Sequence, residues 1–261
     1  MTAVLPGLTV TEAEVRAALG TVVDPELDEP ITDVGFVRSV SVEGHAVEGH
    51  AVEGCAVEVH LRLPTSFCAP NFAWLMVSDA HDAVSAVPGV ESVVVELDDH
   101  HDSDLINRGL AAGAGYRGTF GHEAENSLDE LRAIFQRKAH TAAMERAVTA
   151  LLRTDPAVDV AALTLGDLPA GEHTTDALLR RRATLGLPVD DAAPVLVHDD
   201  GTRPDPAQAD MVLRRARSVR ISVDGNAHFC RGLLTTRYPG SEADQVPRPD
   251  DRPVLSLEVL S

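Results

Sequence analysis

A cysteine, Cys68, stands where an alternating strand pattern ends and a helix pattern begins, in the stretch PTSFCAPNFAW. The first amides of a helix are unpaired and lie at the positive end of its dipole, which favours a thiolate. A thiolate attacks electrophiles and binds iron, zinc or copper. Pro64 and Pro70 flank the turn, and Thr65 is placed to hydrogen-bond the loop. A small residue buried under the helix is the alternative interpretation of Cys68.

A second pair of candidate metal ligands lies in the stretch NAHFCRG. In a strand, His228 and Cys230 share one face because successive side chains alternate. Two such ligands make half of a metal site, which Cys68 would complete if it lay opposite. A cysteine in the core beside a histidine on the surface is the alternative.

Two further stretches offer ligands in a less regular order. The run ELDDHHDSD, residues 96–104, holds the carboxylates and imidazoles that suit iron, manganese or zinc, although a solvated acidic loop has the same composition. The unit A-V-E-G-H/C recurs and puts His45, His50 and Cys55 in equivalent places. The unit repeats every five residues, a period that fits neither a helix nor a strand. We therefore interpret it as a duplicated hairpin loop, with ion binding as the alternative.

Several enzyme classes lack their signatures in this chain. The stretch GHEAEN has no second histidine to complete an H-E-x-x-H zinc site, and neither a P-loop nor a G-x-S-x-G motif occurs. A diiron site in a four-helix bundle needs Glu-x-x-His twice, and no such pair is present. We therefore predict that the chain is not itself an enzyme.

Composition excludes other functions. The 261 residues carry a formal charge of −19, which argues against binding to nucleic acid or to an anionic membrane surface. No apolar run is long enough for a transmembrane helix, and the N-terminal stretch does not read as a secretory signal. Three widely separated cysteines favour a reduced, cytoplasmic setting.

The elements that must position Cys68 are predicted as α-β-β-α-β. Thr11 and Glu14 form a capping-box pattern at the first helix. Alternation predicts strands over 31–42, with Gly35 as a bulge, and over 55–63. A helix over about 69–87 follows, then a Pro-Gly stop and a strand from residue 90 to 97. The fold class is α/β (α+β), with a small mixed sheet and packed helices.

The remainder is predicted as a linker and a second module. Residues 101–155 comprise a Gly-rich stretch and a long helix. The helix starts at Ser127, and Glu130 completes a capping box. Residues 156–261 are predicted as a small α/β module. Its helices are predicted over 174–187 and 205–218, and its strands over 194–200 and 253–260. A hairpin is predicted over 219–238, with its turn at Asp-Gly-Asn. The predicted domains are therefore 1–100, 101–155 and 156–261.

Spaced motifs within the first 100 residues or so resemble the SufT/PaaD-type iron–sulfur assembly family. That family shows an Asp-Pro-Glu loop, an Asp-hydrophobic-Gly strand, a Thr-x-x-Cys-Pro helix start and a closing Pro-Gly-Val. Ala69 departs from the usual proline, and Phe67 departs from the usual small residue. The matching positions are Asp24, Pro25, Glu26, Asp33, Gly35, Thr65, Cys68, Pro88, Gly89 and Val90.

The resemblance implies a function in metal handling. Cys68 would be the reactive residue that contacts iron or an iron–sulfur cluster transiently, with Asp24, Glu26, Asp33 and Thr65 shaping its loop. Residues 106–148 also resemble longer family members encoded beside propane-type diiron monooxygenases. That likeness implies a client metalloenzyme such as a diiron hydroxylase, to which the protein would deliver iron or a cluster.

Two other classes of function stay open at this point. A metal-free folding chaperone would bind the client hydroxylase through the C-terminal module, with no cofactor and with Cys68 as a packing residue. A thiol enzyme would use Cys68 as its nucleophile and would need a base nearby. The sequence also leaves a homo-oligomer open.

Overall fold

The computed structural model describes residues 10–44, 54–121 and 128–247. The chain divides into two compact units, which we consider separately. The first unit comprises Met1–Asp24, Glu29–Gly121 and Cys230–Ser261, and the second comprises Pro25–Asp28 and His122–Phe229. This division differs from the predicted boundaries at residues 100 and 155, because the first unit also contains a segment from the C-terminal end of the chain.

The first unit has the predicted α-β-β-α-β order around a mixed sheet. Strand β3 pairs antiparallel with β4, β4 pairs parallel with β5, and helix α2 is the connection between β4 and β5. Two short strands, β1 and β2, form a separate antiparallel pair. The elements are α1 (Glu12–Leu19), β1 (Val23–Asp24), β2 (Glu29–Pro30), β3 (Val37–Gly44), β4 (Cys55–Arg62), α2 (Pro70–Ser85), β5 (Val90–Asp98), α3 (Ser103–Ala111) and α4 (Gly115–Phe120).

Local sequence signals explain most of these elements. The Thr11 hydroxyl accepts the Glu14 amide, and the Glu14 carboxylate accepts the Thr11 amide, so the predicted capping box starts α1. In β4, Val57, Val59 and Leu61 are buried while the residues between them are less so. This period of two makes one face of the central strand apolar, and that face belongs to the core.

The strand predicted from residue 31 begins later. Residues 31–35 form a turn in which Phe36 donates its amide to the Ile31 carbonyl, and β3 starts at Val37. Gly35 has a φ of +78°, a conformation that favours glycine, so it is a turn residue. The bulge lies between Val37 and Ser39 instead. The Gly-rich stretch after β5, predicted as irregular, contains helices α3 and α4.

Helices form the second unit in the part of the chain that the structure describes. They are α5 (Leu128–Thr154), α6 (His173–Leu185) and α7 (Ala209–Arg237), whose last residues belong to the first unit. The core of the unit gathers Met144, Val148, Leu178, Val195 and Leu196. Among the described residues, no helix combines the length and apolarity needed to cross a membrane.

The prediction of an α/β module at the C-terminal end is wrong for the described residues. The predicted strand at 194–200 is buried loop with a single bridge between Thr164 and Pro194, and the predicted hairpin at 219–238 is part of α7. Buried residues in α7 follow helical spacing rather than alternation. They include Leu213, Ala216, Val223, Ala227 and Leu234.

A buried ion-pair network further explains why α7 is a helix. Glu145 of α5 is fully buried and pairs with Arg217 at 3.1 Å and with Arg220. Arg220 also pairs with Asp224 at 2.8 Å, one helical turn further on. In an extended strand, Arg220 and Asp224 would lie about 13 Å apart along the chain, too far to pair with each other.

Some predictions fall on residues outside the described ranges. They concern His45 and His50 of the repeat, the GHEAEN stretch, Ser127 of the capping box and the strand at 253–260. Cys55, the third position of the repeat, is a buried free cysteine in β4.

The helical path through Asp-Gly-Asn gives a direct prediction. A Cβ added at Gly225 meets open space, so Gly225→Ala should stabilise the second unit by about 0.5–1 kcal/mol through helix propensity. Gly186→Ala is the matched control. Its Cβ also meets open space, but its φ of +67° makes alanine costly, so this change should destabilise. Denaturant unfolding followed by circular dichroism measures both. Destabilisation by Gly225→Ala would instead indicate a hairpin turn.

A buried histidine gives a second prediction. Burial, together with the charges of Arg182 and Arg181, lowers the pKa of His140 from 6.5 to about 4. The unfolded chain binds a proton below its ordinary pKa and the folded chain does not, so unfolding becomes easier as pH falls from 6.5 towards 4. We expect a loss of about 3 kcal/mol over that window.

The pH dependence is measured by denaturant unfolding between about pH 7 and about pH 5. His140→Leu should remove most of the slope, whereas His173→Leu, at an exposed position in the same unit, should leave it. Equal slopes in both variants would contradict the assignment to His140.

Candidate functional site

The turn between β4 and α2 presents Cys68 at the start of a helix. Strand β4 ends at Arg62, the next residue, Leu63, is buried, and α2 begins at Pro70 with Ala69 as its N-cap. The Ala69 carbonyl accepts the amides of Phe72 and Ala73 at 2.9 and 3.1 Å. No side chain caps this helix end. Cys68 therefore lies one residue before the cap, half-buried and not in a disulfide.

Thr65 organises the turn around the thiol. Its hydroxyl lies 3.4 Å from the Cys68 Sγ and accepts the Phe67 amide at 3.2 Å. When the hydroxyl oxygen accepts an amide, its hydrogen is free to point at sulfur. Thr65 is thus able to donate a hydrogen bond to the Cys68 sulfur.

His100 holds the same turn from the loop after β5. Its Nδ1 accepts the Asp102 amide at 3.1 Å, so this nitrogen carries no proton. Its Nε2 is then protonated and donates to the Cys68 carbonyl at 2.8 Å. His100 is 7% exposed and uses both ring nitrogens on the backbone, so in this arrangement it is neither a metal ligand nor a base. In the sequence, this residue stands out only as part of an acidic run.

A second link joins the two loops on their outer side. The His101 amide donates to the Ser66 carbonyl at 2.9 Å. The rings of His101 and Phe67 stack with centroids 5.9 Å apart. Phe67 is 79% exposed, so its ring extends into solvent.

The predicted acidic loop residues have partners of their own. Asp24 is buried in β1 and faces Glu29 across the β1–β2 pair. Glu26 accepts the Asn226 amide group at 2.9 Å. Asp33 accepts the Thr32 hydroxyl at 3.0 Å. Of the four predicted supporting residues, Thr65 is the one for which a direct contact with the thiol is evident in the described part of the chain.

The proposed half-site of His228 and Cys230 does not form as predicted. Both residues lie in α7, where positions two apart point about 200° away from each other. His228 is exposed and packs its ring edge against Phe229, whereas Cys230 is half-buried. The prediction of this pair assumed that both residues share one face of a strand, and these residues form a helix instead.

The acidic run at the end of β5 is divided among separate partners. Glu96 accepts Asn107 at 2.6 Å, while Asp98 binds Arg38 at 2.8 Å and His60 at 2.9 Å. The hydrogen bond to Asp98 raises the pKa of His60. Across residues 10–44, 54–121 and 128–247, no three His, Cys, Asp or Glu side chains converge as a metal-binding set.

The arrangement provides one half-buried sulfur with one hydroxyl donor and a rigidly held backbone. A single thiolate can bind a soft or borderline metal but cannot fill a four-coordinate shell. Other ligands would have to come from the bound species or from a second protein. Such a site suits transient contact rather than storage.

Comparison with known proteins places this turn in a family context. Residues 12–97 match the model of a family described as iron-sulfur cluster assembly protein. The matched segment runs from α1 into β5, contains Cys68 and covers about a third of the chain. The match supports a general role in iron–sulfur cluster assembly. Neither a curated protein nor a solved structure matches the chain.

The role of His100 can be tested by its removal. His100→Leu leaves the Cys68 carbonyl and the Asp102 amide without their partner, so it should destabilise the first unit by about 2 kcal/mol. The fluorescence of Trp74, the single tryptophan and a buried residue of α2, reports on unfolding of this unit. The exposed neighbour His101 supplies the control, because His101→Leu should change stability little. Equal losses would mean that the hydrogen bonds of His100 do not matter.

Proposed function

We propose that this protein is an accessory assembly factor that passes iron or an iron–sulfur cluster to a client metalloenzyme through Cys68. The observation that carries the proposal is the position of Cys68 within the segment that matches the assembly family. The thiol lies at a helix start, half-buried, with the Thr65 hydroxyl as a donor. These features leave the sulfur within reach of a metal, and the thiolate is the form that binds one.

The cargo is held by few bonds from this chain, which makes release easy. Cys68 supplies one thiolate, and an apo-site rich in carboxylates or thiolates on the client supplies more. Ligand exchange then runs towards the client, since each new bond there replaces a water or a single sulfur bond. His100 keeps the Cys68 backbone in place during the exchange, because its two backbone hydrogen bonds do not involve the metal.

The client that we propose is the hydroxylase of a diiron monooxygenase. Support comes from the resemblance of residues 106–148 to longer proteins encoded beside propane-type monooxygenases. The described part of this stretch contains most of α3, all of α4 and most of α5. The protein would then serve maturation of the client and would not carry out oxidation.

The first experiment measures iron and acid-labile sulfide after anaerobic purification. Cys68→Ala should lose most of both, because it removes the thiolate. Cys230→Ala is the matched control, since it removes the other half-buried cysteine that is not in a disulfide and should keep the content of the native chain.

Each outcome separates one form of the proposal from another. Iron together with sulfide, lost in Cys68→Ala, indicates a cluster carrier. Iron without sulfide, lost in the same variant, indicates iron delivery to a diiron client. Absence of both from the native chain after iron and sulfide are supplied would overturn the proposal.

A metal-free chaperone is the second candidate. One observation favours it: no three metal-ligating side chains converge among the residues that the structure describes. In that function, Cys68→Ser would still mature the client hydroxylase when the two are produced together, whereas a carrier would lose this ability.

A further inference from the structure

The end of α7 and the residues after it contribute to the first unit, close in structure to the loops that build the Cys68 turn. Arg237, the last residue of α7, donates from Nη1 to the Leu63 carbonyl at 3.1 Å and from Nη2 to the Asp99 carbonyl. Leu63 leads directly into the turn that contains Cys68. Asp99 directly precedes His100. One guanidinium therefore ties together the two backbone segments that carry the site.

Asp99 is a strained position that these contacts help to hold. Its φ of +53° is uncommon for a residue other than glycine and costs on the order of 1 kcal/mol. The Tyr238 hydroxyl donates to the Asp99 carboxylate at 3.1 Å, and Arg237 binds the Asp99 carbonyl. Both contacts favour the turn that sends the chain into His100.

Tyr238 is itself fixed from two sides. The guanidinium carbons of Arg62 and Arg237 lie 5.4 and 5.2 Å from the centre of its ring. Arg62 is anchored in turn by the Gly35 carbonyl at 3.1 Å and by Asp244 at 2.5 Å. Burial raises the pKa of Tyr238, which keeps its hydroxyl a donor at neutral pH.

The same C-terminal segment reaches the loop of Asp33. The Val246 amide donates to the Asp33 carbonyl at 2.8 Å. A Cβ on Gly35 would lie 3.1 Å from Gln245 and 3.2 Å from Leu234, so the segment packs closely on this glycine. The contact is therefore built over several residues and does not depend on one side chain.

We propose that Arg237 and Tyr238 are positioning residues for Cys68, acting through Asp99 and His100. The path runs from the guanidinium to the Leu63 and Asp99 carbonyls, then through the His100 ring to the Cys68 carbonyl. The importance of this positioning rests on the proposed function of Cys68, but the positioning itself does not require a bound metal. The C-terminal segment is thus part of the cysteine site, although it lies outside the matched residues 12–97.

The test measures alkylation of individual cysteines by iodoacetamide in the metal-free full chain, with peptide mass spectrometry to assign each site. Arg237→Gln should raise the rate at Cys68 by about fivefold, the scale set by the net loss of one hydrogen bond. Buried Cys55, in β4 of the same unit, is the internal reference and should stay protected. A merely structural effect would raise both rates together, so that result would overturn the proposal.

Matched variants make the test specific. Arg16→Gln removes an exposed arginine of the same unit that pairs with Glu12, and it should leave Cys68 unchanged. Asp99→Gly suits the positive φ and keeps the carbonyl that Arg237 binds, so it should change the Cys68 rate less than Asp99→Val, which is strained there. Equal rates for Arg237→Gln and Arg16→Gln, or a larger effect of Asp99→Gly than of Asp99→Val, would refute the positioning path.

The iron measurement is kept separate from this test. A native chain without iron would overturn the proposed function and leave the alkylation result valid. An unchanged alkylation rate in Arg237→Gln would overturn the positioning role while leaving a carrier function through Cys68 intact.

Discussion

Parallel pairing of β4 and β5 is the constraint on which the candidate site depends. Arg62 at the end of β4 lies opposite Asp98 at the end of β5, so both strands finish at the same edge of the sheet. The turn with Cys68 and the loop with His100 follow these two ends and are therefore neighbours. The hydrogen bond from His100 to the Cys68 carbonyl is possible only because of this register. If β5 paired with β4 one residue out of register, side chains of the two strands that now share a face would lie on opposite faces of the sheet.

The site fixes the backbone around the Cys68 thiol, while the sulfur itself is not in a disulfide. His100 and Arg237 form hydrogen bonds with backbone groups, and the Thr65 hydroxyl lies beside the sulfur. Rigid backbone around a reactive side chain lowers the entropic cost of meeting a partner without adding ligands that would retain the cargo. In the proposed function, backbone contacts would achieve the positioning, and metal contact would be left to one sulfur.

The second unit is stabilised by a different set of interactions. Its core is formed by helices and by a buried loop around Val195, and its buried carboxylate, Glu145, is compensated by Arg217 and Arg220. A buried charge is tolerated only when it is paired, so this network specifies how α5 and α7 meet within the unit.

Local patterns in the sequence were enough to predict the elements that carry Cys68. Alternation identified β4, the flanking prolines and Thr65 marked the turn, and apolar spacing identified α2, because each of these signals acts over a few neighbouring residues. The motif order also pointed to the assembly family that matches residues 12–97.

The rest was decided by contacts between residues far apart in the chain. Asp-Gly-Asn is a strong local turn signal, yet packing of Val223 and Ala227 and the pairing of Arg220 with Glu145 keep α7 helical through it. His100 and Arg237 carry no local mark of their roles, since their partners are backbone carbonyls of segments distant in sequence. A backbone carbonyl has the same chemistry in every residue, so only the tertiary structure can show which side chain binds it.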